Sequence, residues 1–314
     1  MNRIAPYPMK FMPQFKELPW GGEKLSGFGK SLPAGKKIGE SWELSGIPSS
    51  PSVAANGKLS GTPLNEIVSK ESSWFGGKKR LPLLVKLIDA SENLSVQVHP
   101  SDKMAEKLGL QSGKSECWYV LHAEPGARII RGLKNGVDAT NLFQAIASSG
   151  IEECLLSVPV RAGDVIPVPA GTVHALGKGI VTYELQQSCD VTYRLFDWNR
   201  TSPKRELHIE EGIRAADFCS PIPEITNWKP NSSGKVYSCE HFSLEKVSLS
   251  EKSSGFKGQT GWAAATAISG SASIEYDSGR IGIVKGETLL LPEGLDCKIE
   301  ASKDGCEFLL AYAN

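Results

Sequence analysis

Four side chains that could bind a metal fall in three β-like segments of the sequence. Gln97 and His99 are two residues apart in Leu94-Ser-Val-Gln-Val-His-Pro100, so a strand would point both to the same face. Glu116 lies in a second β-like run, and His174 follows a turn rich in Pro and Gly. Two imidazoles, a carboxylate and an amide oxygen suit a divalent metal of borderline hardness, with zinc as the leading candidate. A lone His is more often a hydrogen-bonded core or surface residue, but four donors on predicted strands or strand ends favour a metal site.

The segment from Gly163 to His174 predicts the architecture. Its spacing, G-x5-P-x-G-x2-H, resembles the second sequence motif of the cupins, which are small double-stranded β-barrels. The Pro and Gly residues predict a sharp turn that would aim His174 into the mouth of the barrel. The same frame returns at 286–297, where Cys297 stands in place of the histidine and no His-x-His or Gln-x-His precedes it. This repeat predicts a second barrel that kept the turn and lost the metal site.

The fold class that follows is mainly β, with two cupin-like (jelly-roll) β-barrel domains, a few short helices and no large helical insert. Short helices are expected to begin at Thr62, as an N-cap before Pro63, and to cover about 101–110, 138–149 and 208–218. The likeliest linker is 221–234, which is rich in Pro, Asn, Ser and Gly. The predicted domains are 1–225, catalytic and metal-binding, and 226–314, metal-free.

The composition limits the possible partners. The chain of 314 residues is 40% hydrophobic and has 35 Lys plus Arg against 35 Asp plus Glu, so no global field favours nucleic acid or an anionic membrane. No stretch approaches a membrane span, and the N-terminus lacks the apolar region of a signal peptide. Seven scattered cysteines without a C-x-x-C pair indicate reduced thiols rather than disulfides or a cysteine-based zinc site. We therefore predict a cytoplasmic protein with no nucleic-acid or membrane partner, as a monomer or a homodimer.

Two further strands place polar side chains near the proposed ligands. Asp190, Thr192 and Arg194 alternate with apolar residues, so they share one face of a predicted strand. Lys86 is the single charge in the buried run 81–88. A solvated edge position is the ordinary interpretation of such a lysine, and the alternative is a barrel interior that contains a negative group.

Six motifs, taken together, resemble type I mannose-6-phosphate isomerases in their short bacterial form, which lacks the helical domain of longer members. They are Phe15-Lys-Glu-Leu-Pro-Trp-Gly-Gly, Gly39-Glu-Ser-Trp-Glu, Leu94-Ser-Val-Gln-Val-His-Pro, Gly113-Lys-Ser-Glu, Pro169-Ala-Gly-Thr-Val-His-Ala and Asp190-Val-Thr-Tyr-Arg. The resemblance covers nearly the whole chain. It implies a zinc-dependent cupin isomerase, with one Zn²⁺ per chain, that interconverts mannose 6-phosphate and fructose 6-phosphate.

Site residues follow from the resemblance position by position. It implies Gln97, His99, Glu116 and His174 as zinc ligands, Arg194 as the catalytic arginine, and Lys86, Lys114, Glu184 and Asp190 as polar active-site residues. The chain departs from longer members at Arg200, where they have a lysine six residues after the arginine. If Arg200 binds phosphate, a planar fork replaces a point charge.

The expected chemistry moves a proton between C1 and C2 of the sugar through a cis-enediol, which requires a base and a group that stabilises the oxyanion. The base is open between Lys114 and Glu184. Lys114 would face the metal, whose charge favours its neutral form, but it could be a solvated strand end, and Glu184 could simply pair with Arg194. Candidates for binding the phosphate are Lys86, Ser95, Arg194 and Arg200.

Two other function classes compete with the isomerase. One is a non-catalytic, metal-containing cupin that binds a sugar phosphate without turning it over; intact candidates for ligands, arginine and lysine disfavour it. The other is an iron-dependent cupin oxygenase, which Gln97 in place of a histidine disfavours.

Overall fold

The computed structural model describes residues 4–250, 254–256 and 261–314. Within these residues the chain forms strands β1–β21 and helices α1–α4. The strands are β1 Met9–Met12, β2 Gln14–Gly22, β3 Ile38–Ser45, β4 Val53–Ala54, β5 Leu83–Ala90, β6 Val96–Val98, β7 Glu116–Ala123, β8 Arg128–Leu133, β9 Leu155–Pro159, β10 Asp164–Val168, β11 His174–Leu176, β12 Ile180–Gln187, β13 Tyr193–Phe196, β14 Thr226–Asn227, β15 Gly234–Ser238, β16 Phe242–Leu249, β17 Ser254–Phe256, β18 Ala263–Tyr276, β19 Gly279–Val284, β20 Thr288–Leu291 and β21 Cys297–Ala313. The helices are α1 Leu64–Lys70, α2 Asp102–Lys107, α3 Ala139–Ala147 and α4 Ile209–Ala215.

Two antiparallel sheets face each other in the first part of the chain. The larger has the strand order β14-β10-β7-β12-β5-β3-β2, and the smaller has the order β13-β6-β11-β8-β9. One apolar cluster joins them, with Trp118 and Ile166 from the larger sheet against Ile129 and Leu176 from the smaller. A second cluster covers the outer face of the smaller sheet with side chains from α3 and α4, including Leu142. The space between the two sheets is therefore the interior of a jelly roll.

Strands β5, β10 and β12 of the seven-stranded sheet are buried on both faces, which explains their nearly continuous apolar sequences. In β12, Tyr183 and Leu185 pack against Phe242 and Leu309 of the C-terminal strands. Glu184, between them, points to the opposite face and into the jelly-roll interior. The alternation of Ser41, Glu43 and Ser45 with Trp42 and Leu44 predicts a half-buried strand, and that prediction is wrong. Residues 41–45 of β3 are buried on both faces, and Glu43 is paired with Lys30 at 2.6 Å.

The seven C-terminal strands β15–β21, together with β1 and β4, form a sheet of nine strands with a core of its own. Its turn repeats the geometry of the first, because Gly163 and Gly286 have φ of +86° and +87° and Gly171 and Gly294 have +87° and +74°. These left-handed values favour glycine, so the repeated sequence frame corresponds to a repeated turn. The mainly β fold with a few short helices is confirmed.

The boundary between the two predicted domains crosses paired strands. β1 pairs with β20, so the N-terminal strand lies in the C-terminal sheet. β14, within the predicted linker, pairs with β10 of the seven-stranded sheet. The division at 225 and 226 stays a prediction.

Helix α1 begins one residue later than the sequence pattern indicates. Its N-cap is Pro63 rather than Thr62. The chain before the helix is held extended, because Thr62 accepts a backbone hydrogen bond from Ala54 and Pro63 bridges to Val53. Pairing with β4 therefore overrides the capping preference of threonine.

All seven cysteines lie in the described part of the chain and none forms a disulfide. Across the same residues, no helix has the length and apolar character needed to cross a membrane.

A glycine variant tests how tightly the first turn is packed. We expect Gly163→Ala to lower the free energy of unfolding by about 3 kcal/mol, because a left-handed alanine is strained and its Cβ would lie 2.4 Å from the Trp228 carbonyl oxygen. Gly35→Ala is the matched control: its φ of +72° carries the same strain, but no atom lies within 4 Å of the added Cβ, so about 1 kcal/mol is expected. Urea unfolding measures both, and equal losses would contradict the role given to the Trp228 contact.

Candidate active site and metal centre

Three of the four predicted ligands converge between the two sheets. His99 follows β6, Glu116 opens β7 and His174 opens β11, and one donor atom from each lies within 4.8 Å of the other two. The Glu116 carboxylate is central: Oε2 is 3.3 Å from His99 Nε2, and Oε1 is 3.3 Å from His174 Nε2. All three residues are 1% exposed, so water cannot solvate the cluster.

Backbone carbonyls orient both imidazoles. His99 Nδ1 is 3.0 Å from the Val191 oxygen, and His174 Nδ1 is 2.8 Å from the Thr172 oxygen. A ring nitrogen that faces a carbonyl must carry the proton, so each Nε2 keeps a lone pair towards Glu116. Burial, together with the Lys114 ammonium, lowers the pKa of His99 to about 3 and keeps that ring neutral. Neutral imidazoles with free Nε2 atoms are the form that binds a metal.

Both oxygens of Glu116 are buried, and neither accepts a hydrogen bond of good geometry from any described residue. Burial would raise the pKa of Glu116, but Lys114 and the two imidazoles outweigh it and hold this pKa well below the usual range. Lys114 supplies one positive charge at 3.4 Å, but without hydrogen bonds of good geometry both carboxylate oxygens keep lone pairs for a further cation. The donor set therefore fits a divalent metal.

Gln97 and Lys114 border the same cluster. β6 pairs with β11 so that Gln97 lies opposite His174, and the amide nitrogen of Gln97 is 3.4 Å from His174 Nε2. Rotation of the Gln97 amide by 180° would place its oxygen beside His174 Nε2, and the oxygen is the amide atom that could bind a metal. Lys114 Nζ lies 3.0 Å from His99 Nε2 and 3.4 Å from Glu116 Oε2.

A cavity of about 130 Å³ adjoins the cluster and is lined by most of the predicted site residues. These are Lys86, Ser95, Gln97, Lys114, Glu184, Asp190 and Arg194. Polar or aromatic residues that we did not predict also line it: Trp20, Glu40, Trp118 and Arg205, while Thr192 lies on the predicted polar face. The cavity thus combines the metal-binding cluster with acids, lysines and arginines.

Lys86 lies in the interior of the jelly roll, and the solvated-edge alternative is wrong. Its Nζ is 3.1 Å from Glu184 and 3.7 Å from Glu40, and it is 3% exposed. Burial alone would lower the pKa of Lys86, but these two carboxylates outweigh it and raise that pKa. Burial raises the pKa of Glu184. Lys86 lowers this pKa, but Lys86 is shared with Glu40, and the charge of Glu116 raises it further. Glu184 is held by the Trp118 indole N–H at 2.8 Å, not by Arg194.

Arg194 lies on β13 opposite Gln97 of β6, beside the metal cluster. Its Nε donates to Ser95 Oγ at 3.3 Å and its Nη1 to the Glu206 carbonyl at 2.7 Å. Burial, together with the Arg205 guanidinium, lowers the pKa of Arg194, but an arginine stays charged. The site therefore has a fixed positive fork next to its ligands.

Arg200 does not line the cavity. Its guanidinium donates to Asp197 at 2.6 Å and to the Asn93 carbonyl at 3.0 Å. Arg205, from the loop before α4, lines the cavity instead. The sequence gives little signal for Arg205, because the loop returns to the site through tertiary contacts. Glu40 did have a signal, a carboxylate two residues before Trp42 in an apolar strand.

Comparisons with known proteins agree with this site. Residues 9–125 match the family model described as phosphomannose isomerase type I, catalytic domain. Mannose-6-phosphate isomerase ManA of Bacillus subtilis is 36% identical over 299 residues, covering 92% of this chain and 94% of the relative. A crystal structure of the mannose 6-phosphate isomerase from Bacillus subtilis superposes with a TM-score of 0.86 at 32% identity, covering 97% of this chain and 99% of that one. A structure of mannose 6-phosphate isomerase bound with zinc and yttrium shares the fold, with a TM-score of 0.77 at 17% identity, covering 98% and 99% of the two chains. The chain therefore belongs to the type I mannose-6-phosphate isomerase family of enzymes.

Proposed function

We propose that this protein is a zinc-dependent isomerase that interconverts mannose 6-phosphate and fructose 6-phosphate. The observation that carries the proposal is the buried Glu116 carboxylate, whose oxygens accept no hydrogen bond of good geometry from a described residue and face the Nε2 atoms of His99 and His174 beside a polar cavity. Two imidazoles and a carboxylate, with the Gln97 amide as the fourth group, are nitrogen and oxygen donors of the kind that zinc binds in proteins. Among the described residues one buried cluster of this kind is present, so we expect one ion per chain.

The proposed metal would polarise an oxygen at the C1–C2 end of the sugar when bound. Side chains of the protein would transfer the proton and stabilise the developing charge. An aldose and a ketose interconvert when a proton moves between C1 and C2 through a cis-enediol. Lys114 and Glu184 both line the cavity and are the two groups placed to move that proton.

Burial and the neighbouring carboxylates raise the pKa of Glu184, which is the direction expected of a carboxyl group that exchanges a proton with the substrate. Its Oε2 is fixed by Trp118, and its Oε1 faces Lys86 at 3.1 Å. Lys114 contacts the ligands directly, so it is suited to hold the sugar oxygens near them. Arg194 would stabilise the negative charge that develops on the enediol, since its guanidinium is already held in place by Ser95.

The proposal is tested by metal removal. We expect purified protein to contain about one zinc per chain by elemental analysis and to form fructose 6-phosphate in a coupled assay. Chelation is expected to abolish turnover and added zinc to restore it. Metal-loaded protein that binds the sugar phosphate without turnover would instead indicate a binding protein, and activity that survives complete removal of metal would contradict the zinc assignment.

A further inference from the structure

The loop that follows β13 gathers three arginines around one buried carboxylate. Asp197 is 6% exposed and accepts hydrogen bonds from both Arg200 and Arg205. Arg194 lines the same cavity as Arg205. Arg200 is also paired with Glu92 at 3.5 Å, so three guanidiniums face two carboxylates and leave an excess of positive charge, which an anion can balance.

Arg205 is held in a fixed orientation. Its Nε donates to Asp197 Oδ2 at 2.9 Å and its Nη2 to Asp197 Oδ1 at 2.5 Å, which is the two-pronged geometry of a guanidinium on a carboxylate. That leaves Nη1 without a hydrogen-bond partner among the residues that the structure describes. Arg194 uses Nε and Nη1, and its Nη2 is similarly without a partner in the described chain. Two arginines that line the cavity thus each keep a terminal amino group for a ligand.

Arg200 is engaged elsewhere. It joins Asp197 to the Asn93 carbonyl, and the neighbouring Trp198 donates from its indole to the Leu94 carbonyl at 2.6 Å. Trp198 and the next residue both have left-handed φ, at +52° and +54°. Bulky residues persist in that region only when the surroundings impose it, so these contacts hold the loop and fix Asp197 beside the cavity.

We propose that Arg205 binds the phosphate group of the sugar phosphate and that Asp197 is its positioning residue. Arg200, one of the four candidates that the sequence left open for this role, ties the loop to Asn93 in the segment before β6. The proposal rests on the proposed function and names the residue that selects a phosphorylated sugar. A phosphate monoester carries close to two negative charges near neutral pH and accepts hydrogen bonds from a guanidinium fork.

The charged residues at the other end of the cavity support placing the phosphate beside Arg205. Glu40, Glu184 and Asp190 line that end, with Lys86 and Lys114 between them. With Glu116 included, four carboxylates balance Lys86, Lys114 and a divalent metal, so this end has no excess positive charge, whereas the arginine end has one and attracts a phosphate. The phosphate at Arg205 would direct the carbonyl carbons towards the metal cluster.

The test uses the metal-loaded enzyme and inorganic phosphate as a competitive inhibitor. For Arg205→Gln we expect the inhibition constant of phosphate and the KM for mannose 6-phosphate to rise about 10- to 100-fold, with kcat within about threefold of the parent, since a charge-assisted hydrogen bond is lost. Arg205→Lys keeps the charge but not the fork, and about a tenfold rise is expected. Arg214→Gln, on the exposed face of α4, is the matched control.

Two further variants separate binding from loop structure. Asp197→Asn is expected to raise KM and the phosphate inhibition constant about tenfold while kcat changes little, which a purely structural role would not produce. Arg200→Gln is expected to lower the thermal midpoint and to affect phosphate less than Arg205→Gln does.

The proposal is overturned if the two Arg205 variants leave phosphate inhibition unchanged, or if Arg200→Gln weakens it as much. Titration calorimetry with inorganic phosphate gives the same comparison without turnover. A parent that binds phosphate through Arg205 but does not isomerise would therefore fail the proposed function and keep this inference.

Discussion

We expect His174→Ala to lose bound metal and isomerase activity together, with kcat/KM falling about 10³-fold. His174 supplies an Nε2 that faces Glu116 at 3.3 Å, and the ring is oriented by its Nδ1 contact with the Thr172 carbonyl. Its removal leaves the buried carboxylate facing a single imidazole, and these donors are too few to bind a zinc ion tightly. A 10³-fold loss corresponds to about 4 kcal/mol of transition-state stabilisation, the size expected when a Lewis acid is removed. Elemental analysis and the coupled assay, run on the same preparation, measure both quantities.

His122→Ala provides the control for this experiment. His122 lies on β7, the strand that Glu116 opens, but it is exposed and outside the cavity. We expect that variant to keep its metal and its activity. A His174→Ala protein with its full metal content and no activity would show that His174 acts on the substrate rather than as a ligand.

The ligand cluster could be predicted from sequence because its donors occupy positions with a simple period. Gln97 and His99 share a strand face, and the turn before His174 has a recognisable frame. The pairing of β11 with β6 then places His174 directly opposite Gln97, and Glu116 comes from the facing sheet. That pairing is a contact between strands far apart in the sequence. The residue types could therefore be predicted from the sequence, whereas the distances between them could not.

Other features depend on contacts that a linear pattern does not encode. Arg205 reaches the cavity through a loop whose path is set by hydrogen bonds of Asp197 and Trp198, so its position in the sequence carries no periodic signal. The two-sided burial of β3 arises because the C-terminal strands cover the outer face of the sheet. β1 joins the C-terminal sheet for a similar reason: its partner, β20, lies almost three hundred residues further along the chain.

Lys86 shows how the two kinds of information combine. The sequence did not decide whether Lys86 lies at a solvated edge or in a charged interior, because a single lysine in an apolar run fits both positions. Once β5 is paired with β12, Lys86 lies opposite Glu184 and the interior position follows. The ion pair then accounts for the single charge in the run 81–88.

Arg194→Ala is expected to keep its metal and to lose about 10²- to 10³-fold in kcat. The arginine contacts no proposed ligand through its charged group; its guanidinium is bonded to Ser95 and to the Glu206 carbonyl. The loss should fall on kcat because a group that stabilises developing negative charge acts mainly in the transition state. Steady-state kinetics at saturating mannose 6-phosphate, with the metal content determined alongside, measure the effect.

Two companion variants sharpen the result. Arg128→Ala removes an exposed arginine that bonds only to Ser157, and it is expected to match the parent enzyme. Arg194→Lys keeps the positive charge but cannot reach both of the present acceptors, so we expect it to recover only part of kcat. If Arg194→Ala had shed its metal as well as its activity, the arginine would belong to the support of the metal centre. A rise in KM alone, with kcat unchanged, would place Arg194 beside Arg205 as a phosphate-binding residue and leave the enediol without its proposed positive partner.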